Sequence, residues 1–131
     1  MIEPARKRYL SSSKRIAAEI LPFIDAYAAK KEQEIAEIEQ MVERYEKRRL
    51  AEDRAYQSMS MFRKMLTGKK PDHHVAVEYI HFVKKPMERV RALRQELEKV
   101  RAIQQGSLPG DLVDVPDELV IHMAEQENDT K

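Results

Sequence analysis

Apolar side chains recur at helical spacing along two long stretches of this chain. From Pro22 to Leu66 and again from Asp72 to Gln105, they fall at alternating steps of three and four residues, which places them on one face of a helix. The segment between them, Thr67 to Pro71, contains the Gly and Pro residues that commonly end helices. The pattern predicts an all-α fold, namely a long, kinked, antiparallel helical hairpin that is coiled-coil-like.

Each predicted helix has an apolar seam, the row of side chains that faces a neighbouring helix. The first seam contains Ile24, Ile35, Ile38, Val42 and Tyr45, and the second contains Ile80, Val83, Met87, Val90, Leu97 and Val100. With 36% charged and 6% aromatic residues, the 131-residue chain has little apolar material for a deep core. We therefore expect the seams also to join copies of the chain into a dimer or a higher homo-oligomer.

Two prolines and one charged stretch interrupt the periodicity. Pro22 and Pro86 lack the amide hydrogen that a helix interior requires, so each should kink a helix or mark the start of one. Seven of the nine residues from Glu46 to Arg54 are charged, and the apolar positions change phase after them. We expect irregular packing there and a kink near Lys85.

The two ends of the chain differ from the hairpin. The N-terminal residues predict a leading helix, with Pro4 in its first turn and Ser11 to Ser13 as a cap or a joint before Lys14. After Gly106, the sequence predicts an extended segment and then a short amphipathic helix from Pro116 to Glu125. We therefore divide the chain into a helical body, residues 1–105, and a tail, residues 106–131.

Charge separates the body from the tail. Residues 1–105 hold 23 Lys and Arg against 16 Asp and Glu, whereas residues 106–131 hold one Lys against seven acids. The tail is also more apolar than a purely solvating segment. Its apolar residues predict that it docks on the body or on a partner protein: Leu112, Val115, Leu119, Val120 and Met123. His122 stands alone on this tail and is expected at the surface.

Basic clusters in the body indicate a second type of partner. Lys47, Arg48 and Arg49 lie together on the first helix, and Lys84, Lys85 and Arg89 lie on the second. Phosphate backbones are bound by such clusters when they share one face. The sequence shows no recognition helix, zinc finger or aromatic stacking motif, so only binding without sequence readout is predicted.

Methionines are concentrated close to the turn. Met59, Met61 and Met65 lie there with Phe62. Flexible thioethers fill cores, and they also line adaptable peptide-binding grooves. We expect Met59 to fill the core and Met61 to be exposed.

Residues for catalysis or metal binding are sparse. Glu78 and His81 have the Glu-x-x-His spacing of carboxylate-bridged metal sites, but the chain has no second copy of that motif. Three glycines cannot form a phosphate-binding loop, there is no Gly-x-Ser-x-Gly motif, and there is no cysteine. We predict no enzyme activity, no metal and no cofactor.

The combined features predict a non-catalytic protein. Its expected role is that of an adaptor, assembly or regulatory subunit, which acts through an oligomeric helical body and an acidic tail that docks on a partner. The alternative is a small helical subunit of a nucleoprotein complex that binds the nucleic-acid backbone. The longest apolar run near the N-terminus, Ile20 to Ile24, is too short for a membrane span, so we expect no membrane association and a cytoplasmic location.

Overall fold

The computed structural model describes residues 12–68 and 72–129. In chain order, the elements are strand β1 (Ser12–Ile16), helix α1 (Ala17–Gln57), helix α2 (Met61–Thr67), helix α3 (Asp72–Tyr79), a π-helical segment (Ile80–Lys84), helix α4 (Lys85–Gly106), strand β2 (Leu112–Pro116) and helix α5 (Asp117–Asp129). The fold is all-α with one small two-stranded sheet, which confirms the predicted class. No helix in the described ranges has the length and apolar character needed to span a bilayer.

The chain divides into two compact units. The first contains the described residues up to Glu32 and those from Arg94 onward, and the second contains Gln33–Leu93. Helices α1 and α4 each contribute residues to both units. Strand β2 and helix α5, which form the predicted tail, belong to the first unit.

The core of the first unit joins α1, α4, β2 and α5. Its fully buried members are Ile20, Ile24, Tyr27, Val100, Val115 and Leu119, and partly buried side chains including Val120 and Met123 pack against them. Complete burial of such a side chain contributes about 1.5–3 kcal/mol. Thus the apolar residues of the acidic tail complete the protein's own core, while Leu112 remains 64% exposed.

Strand β1 replaces the expected beginning of a helix. It pairs antiparallel with β2, from Ser12 opposite Pro116 to Ile16 opposite Leu112, and α1 begins at Ala17. The prediction of helix from Lys14 is therefore wrong, because the extended β2 segment offers backbone partners that are far away in the sequence. The expected turn at Pro4, like the other residues up to Ser11, lies outside the described residues.

The first turn of α1 is capped by the connection that leads into β2. The amides of Ala17 and Ala18 donate to the carbonyls of Asp111 and Pro109, at 2.8 and 2.9 Å. These bonds satisfy N–H groups that have no partner inside the helix. Pro22 neither starts nor ends a helix: it lies inside α1, in the second turn, where its missing amide removes one backbone hydrogen bond.

The first long helix is shorter than predicted. Helix α1 ends at Gln57, and a separate helix, α2, begins after Ser60, whose Oγ accepts a bond from the amide of Arg63 at 3.3 Å. Ser58 Oγ donates to the carbonyl of Ala55 at 2.9 Å. This side-chain hydrogen bond competes with the backbone hydrogen bonds of a regular helix. Helix α2 ends at Thr67, and the capping residue after it is Gly68, whose φ of +72° suits glycine.

The π-helical segment lies directly before Pro86, close to the predicted kink. The amide of Lys85 donates to the carbonyl of Ile80, which is five residues earlier and not four. This wider turn accommodates the proline ring, which would otherwise collide with the carbonyl of the fourth residue before it. Val83 is buried in this segment, and Ile80 is 42% exposed.

One buried cluster of the second unit joins α1 to the π-helical segment. Val42, Tyr45 and Val83 are buried together, and Ile38 and Met87 pack against them. Of the other predicted seam residues, Ile35 and Val90 are buried and Leu97 is half-buried. The seams are therefore largely buried within one chain. Among the predicted seam residues, Ile80 remains exposed. A homo-oligomer stays a prediction and would need other contacts.

Candidate functional site

The surface of α2 is the most apolar exposed feature of the second unit. Its four large apolar side chains, Met61, Phe62, Met65 and Leu66, are 82%, 73%, 82% and 72% exposed, and α2 has no buried residue. We call these four residues the α2 surface. Its sequence neighbours Arg63 and Lys64 are basic. The expected exposure of Met61 is observed.

A cavity lies between the end of α1, the end of α2 and the beginning of α3. It has a volume of about 280 Å³ and is mostly apolar, with the following lining residues: Arg49, Glu52, Asp53, Ala55, Tyr56, Met59, Thr67, Gly68 and Val75. Arg49 bonds to Glu52 at 3.0 Å and lies 3.5 Å from Asp53, so the charges at its rim are paired. Half-buried Met59 lines this cavity and does not belong to the cluster of Val42, Tyr45 and Val83.

A second cavity lies beside the π-helical segment. It has a volume of about 380 Å³ and is lined by Met41, Arg44, Tyr45, Arg48, His81, Phe82 and Pro86. We call it the basic-aromatic cleft. The charged residues in its lining are two arginines, and no carboxylate belongs to the described lining.

The rings of this cleft form an ordered stack. Tyr45 and Phe82 lie nearly parallel, with centroids 4.9 Å apart and an angle of 19° between the rings. The guanidinium carbon of Arg48 is 5.5 Å from the Tyr45 centroid, and His81 meets Phe82 edge-on at 4.9 Å. Tyr45 is buried and donates its hydroxyl to Glu78 Oε2 at 3.2 Å, which fixes the ring in place.

The predicted basic residues fall into two groups. Lys47, Arg49 and Arg89 are ion-paired, with Glu43 at 3.0 Å, with Glu52 at 3.0 Å and with Glu34 at 3.2 Å. Arg48, Lys84 and Lys85 have no carboxylate partner within the described residues, and neither does Arg44. Sequence reasoning missed Arg44, which stands one helical turn before Arg48 and could have been found by that spacing.

The candidate metal pair has other contacts. Glu78 accepts the bond from Tyr45, and the ring of His81 packs against Phe82. Within the part of the chain that the structure describes, no three His, Cys, Asp or Glu side chains are grouped as a metal site requires. These two residues therefore contribute to the surroundings of the cleft.

The first unit encloses several polar side chains. Lys31 is 8% exposed and forms an ion pair with Glu118. Glu96 has a buried Oε1 atom without a hydrogen-bond partner, and burial and then the charge of Glu118 raise the pKa of Glu96 to about 7, while Lys99 opposes the rise.

His122 also belongs to this interior. It was expected at the surface, but it is 5% exposed and neither ring nitrogen has a partner. Its ring meets Tyr27 edge-on, with centroids 5.7 Å apart, and burial lowers its pKa. The expectation failed because the neighbours that cover His122 come from α1, about one hundred residues away in the chain.

Compared with models of known protein families, with curated proteins and with solved structures, this chain shows no match.

Proposed function

We propose that the protein is a non-catalytic adaptor or assembly subunit that binds a partner protein through the α2 surface. The observation that carries this proposal is a helix with four neighbouring large apolar side chains, each more than 70% exposed. Large exposed apolar patches are rare on monomers and mark interaction sites. Isolated exposed residues need no such explanation, but four on one short helix do.

Charge indicates the chemistry of the partner. From Ser58 to Lys70 the sequence holds Arg63, Lys64, Lys69 and Lys70 and no acidic residue. A partner helix with one apolar face and acidic flanks would complement both features. The neighbouring 280 Å³ cavity offers a place for one apolar anchor side chain of that partner.

This proposal moves partner binding away from the acidic tail. Val115 and Leu119 are fully buried in the first unit, so a partner could reach them only if the tail detached. Self-association and a cytoplasmic location stay predictions. A second copy of the chain would contact Ile80 and Val77. Val77 lies three residues before Ile80 and is 61% exposed.

A binding titration with a defined probe tests the proposal. The probe is a fluorescein-labelled helical peptide of about 20 residues with leucines on one face and glutamates on the other, and its control carries lysines in place of the glutamates. We expect the acidic peptide alone to bind. The double substitution Phe62→Asn with Met65→Gln should weaken that binding at least about tenfold, because it removes exposed anchors.

The matched control is Leu108→Asn, which changes a 70% exposed side chain in the first unit. The Leu108→Asn variant should bind the acidic peptide with the same affinity as the wild type. Circular dichroism should show unchanged melting for all three proteins, since the altered side chains are exposed. Equal binding of the acidic and basic peptides, or equal loss in the control, would contradict the proposal.

A second candidate function is binding to a nucleic-acid backbone. The observation that favours it is the set of basic side chains without carboxylate partners among the described residues: Arg44, Arg48, Lys84 and Lys85. Basic residues engaged in ion pairs must break them before they bind phosphate, whereas these four need not. Affinity should then fall steeply with salt, whereas an apolar helix contact should change little.

A further inference from the structure

We propose that the basic-aromatic cleft binds a nucleotide of single-stranded nucleic acid, with its base against Phe82 and a phosphate on Arg44 and Arg48. This inference rests on the second candidate function. It adds a defined site and a preference for single strands to general backbone binding.

The aromatic part of the cleft is suited to stacking. Phe82 is 43% exposed, and the buried ring of Tyr45 supports it from behind at 4.9 Å. Tyr45 is itself held by its hydrogen bond to Glu78. Because the platform is already fixed, a base can stack on it without the cost of ordering the ring.

The exposed ring of Phe82 belongs to the π-helical segment. Within this segment Val83 is buried in the core, and the preceding residue, Phe82, lies at the surface. Segments of this kind are frequent at functional sites. Pro86, which follows this segment closely, also lines the cleft.

The charged part of the cleft is suited to phosphate. Arg44 and Arg48 line it, and Arg48 is positioned above Tyr45, with 5.5 Å between the guanidinium carbon and the ring centroid. A guanidinium group can donate two parallel hydrogen bonds to one phosphate. Lys84 and Lys85 follow Phe82 closely in sequence and add positive charge.

The combination of features favours a single-stranded nucleic acid over other anions. An acidic peptide would use the two arginines, but its carboxylates would gain nothing from the rings. A duplex would use the arginines too, but its bases are stacked inside the helix and cannot reach Phe82. The volume, about 380 Å³, lies within the range of ligand sites, about 300–1,000 Å³.

Fluorescence anisotropy with the full chain tests this site. The probes are a labelled oligo(dT) of about 20 nucleotides and a mixed-sequence duplex of the same length, each titrated between about 50 and 200 mM NaCl. We expect the single strand to bind more tightly than the duplex. Phe82→Leu should weaken single-strand binding about fivefold to a hundredfold, because leucine stays apolar but offers no ring for stacking.

Arg48→Gln gives an independent readout, with Lys30→Gln as its control. Both variants lose one positive charge, but Lys30 belongs to the first unit and is paired with Glu125 at 3.8 Å. Arg48→Gln should weaken binding and reduce the slope of log affinity against log salt by about 0.7. Lys30→Gln should leave that slope unchanged.

Each other outcome overturns a separate part of the proposal. If Arg48→Gln acts as expected but Phe82→Leu binds like the wild type, or if the duplex binds equally well, backbone binding survives and the stacking site is refuted. If neither oligonucleotide binds, the stacking site and the binding of a nucleic-acid backbone are both refuted. Displacement of bound oligo(dT) by a poly-glutamate peptide at equal charge would assign the cleft to an acidic protein ligand.

Discussion

The substitution Glu96→Gln should stabilise the protein at neutral and alkaline pH and leave its stability unchanged in acid. The Oε1 atom of Glu96 is buried without a hydrogen-bond partner. Burial, with an added contribution from the charge of Glu118, raises the pKa of this carboxyl from 4.5 to about 7. Glutamine has a similar shape but no charge to bury.

The sign and size follow from the two pKa values. As the pH rises from 4.5 to about 7, the unfolded chain loses the Glu96 proton before the folded chain does, so the free energy of unfolding falls. A shift of this size corresponds to about 3 kcal/mol in a fully enclosed group. Since Glu96 is only half-buried, solvent screening reduces the effect to about 1–2 kcal/mol.

Urea unfolding followed by circular dichroism measures this difference. At about pH 8, Glu96→Gln should gain the full 1–2 kcal/mol, which corresponds to a rise in Tm of roughly 3–8 °C, and at about pH 4 it should equal the wild type. The control is Glu98→Gln, which alters an exposed carboxylate on the same helix. A gain for Glu96→Gln that is the same at both pH values would refute the reasoning.

Three further predictions concern the first unit. Burial lowers the pKa of His122. When the pH falls through the ordinary value of 6.5, the unfolded chain therefore takes up this proton before the folded chain does, and the free energy of unfolding falls. The substitution His122→Phe should remove this acid sensitivity, as measured by thermal melts. In urea, Leu119→Ala should cost about 2–5 kcal/mol, whereas Ile121→Ala, at a 57% exposed position, should cost less than about 0.5 kcal/mol. Lys31→Met should cost about 1–3 kcal/mol because it removes the ion pair with Glu118, and adding Glu118→Gln should restore part of that loss.

Local signals were sufficient to predict the long helices. The return helix was expected from Asp72 to Gln105, and α3, the π-helical segment and α4 together run from Asp72 to Gly106. The apolar spacing and the end signals that define it are all contained in the segment itself. The interruption near Lys85 was predicted for the same reason, since a proline acts on its own helix.

Features that depend on distant partners could not be predicted in this way. Strand β1 forms because Ser12–Ile16 pairs with Leu112–Pro116. No pattern within the sequence of β1 predicts that pairing. The burial of His122 depends in the same way on Tyr27. Sequence separation hides such contacts even when each residue is noticed individually.

In the candidate sites, too, local features could be predicted from the sequence and contacts between distant residues could not. The basic residues were visible in the sequence, but which of them are paired depends on neighbours across the helices, as for Arg89 and Glu34. The ring stack could not be seen either, because Tyr45 and Phe82 come from different helical elements and meet only in the fold. The exposure of Met61 was predicted because the residue lies close to a turn.

Site-specific photo-crosslinking tests most directly whether the α2 surface binds a partner protein. Benzoylphenylalanine would replace Phe62 in one protein and Leu108 in another, both highly exposed positions, and the protein would be irradiated in the cells that naturally produce it. We predict one discrete protein adduct at position 62 that the acidic helical peptide prevents and the basic peptide does not. No adduct at position 62, or the same adduct at both positions, would contradict the proposed function.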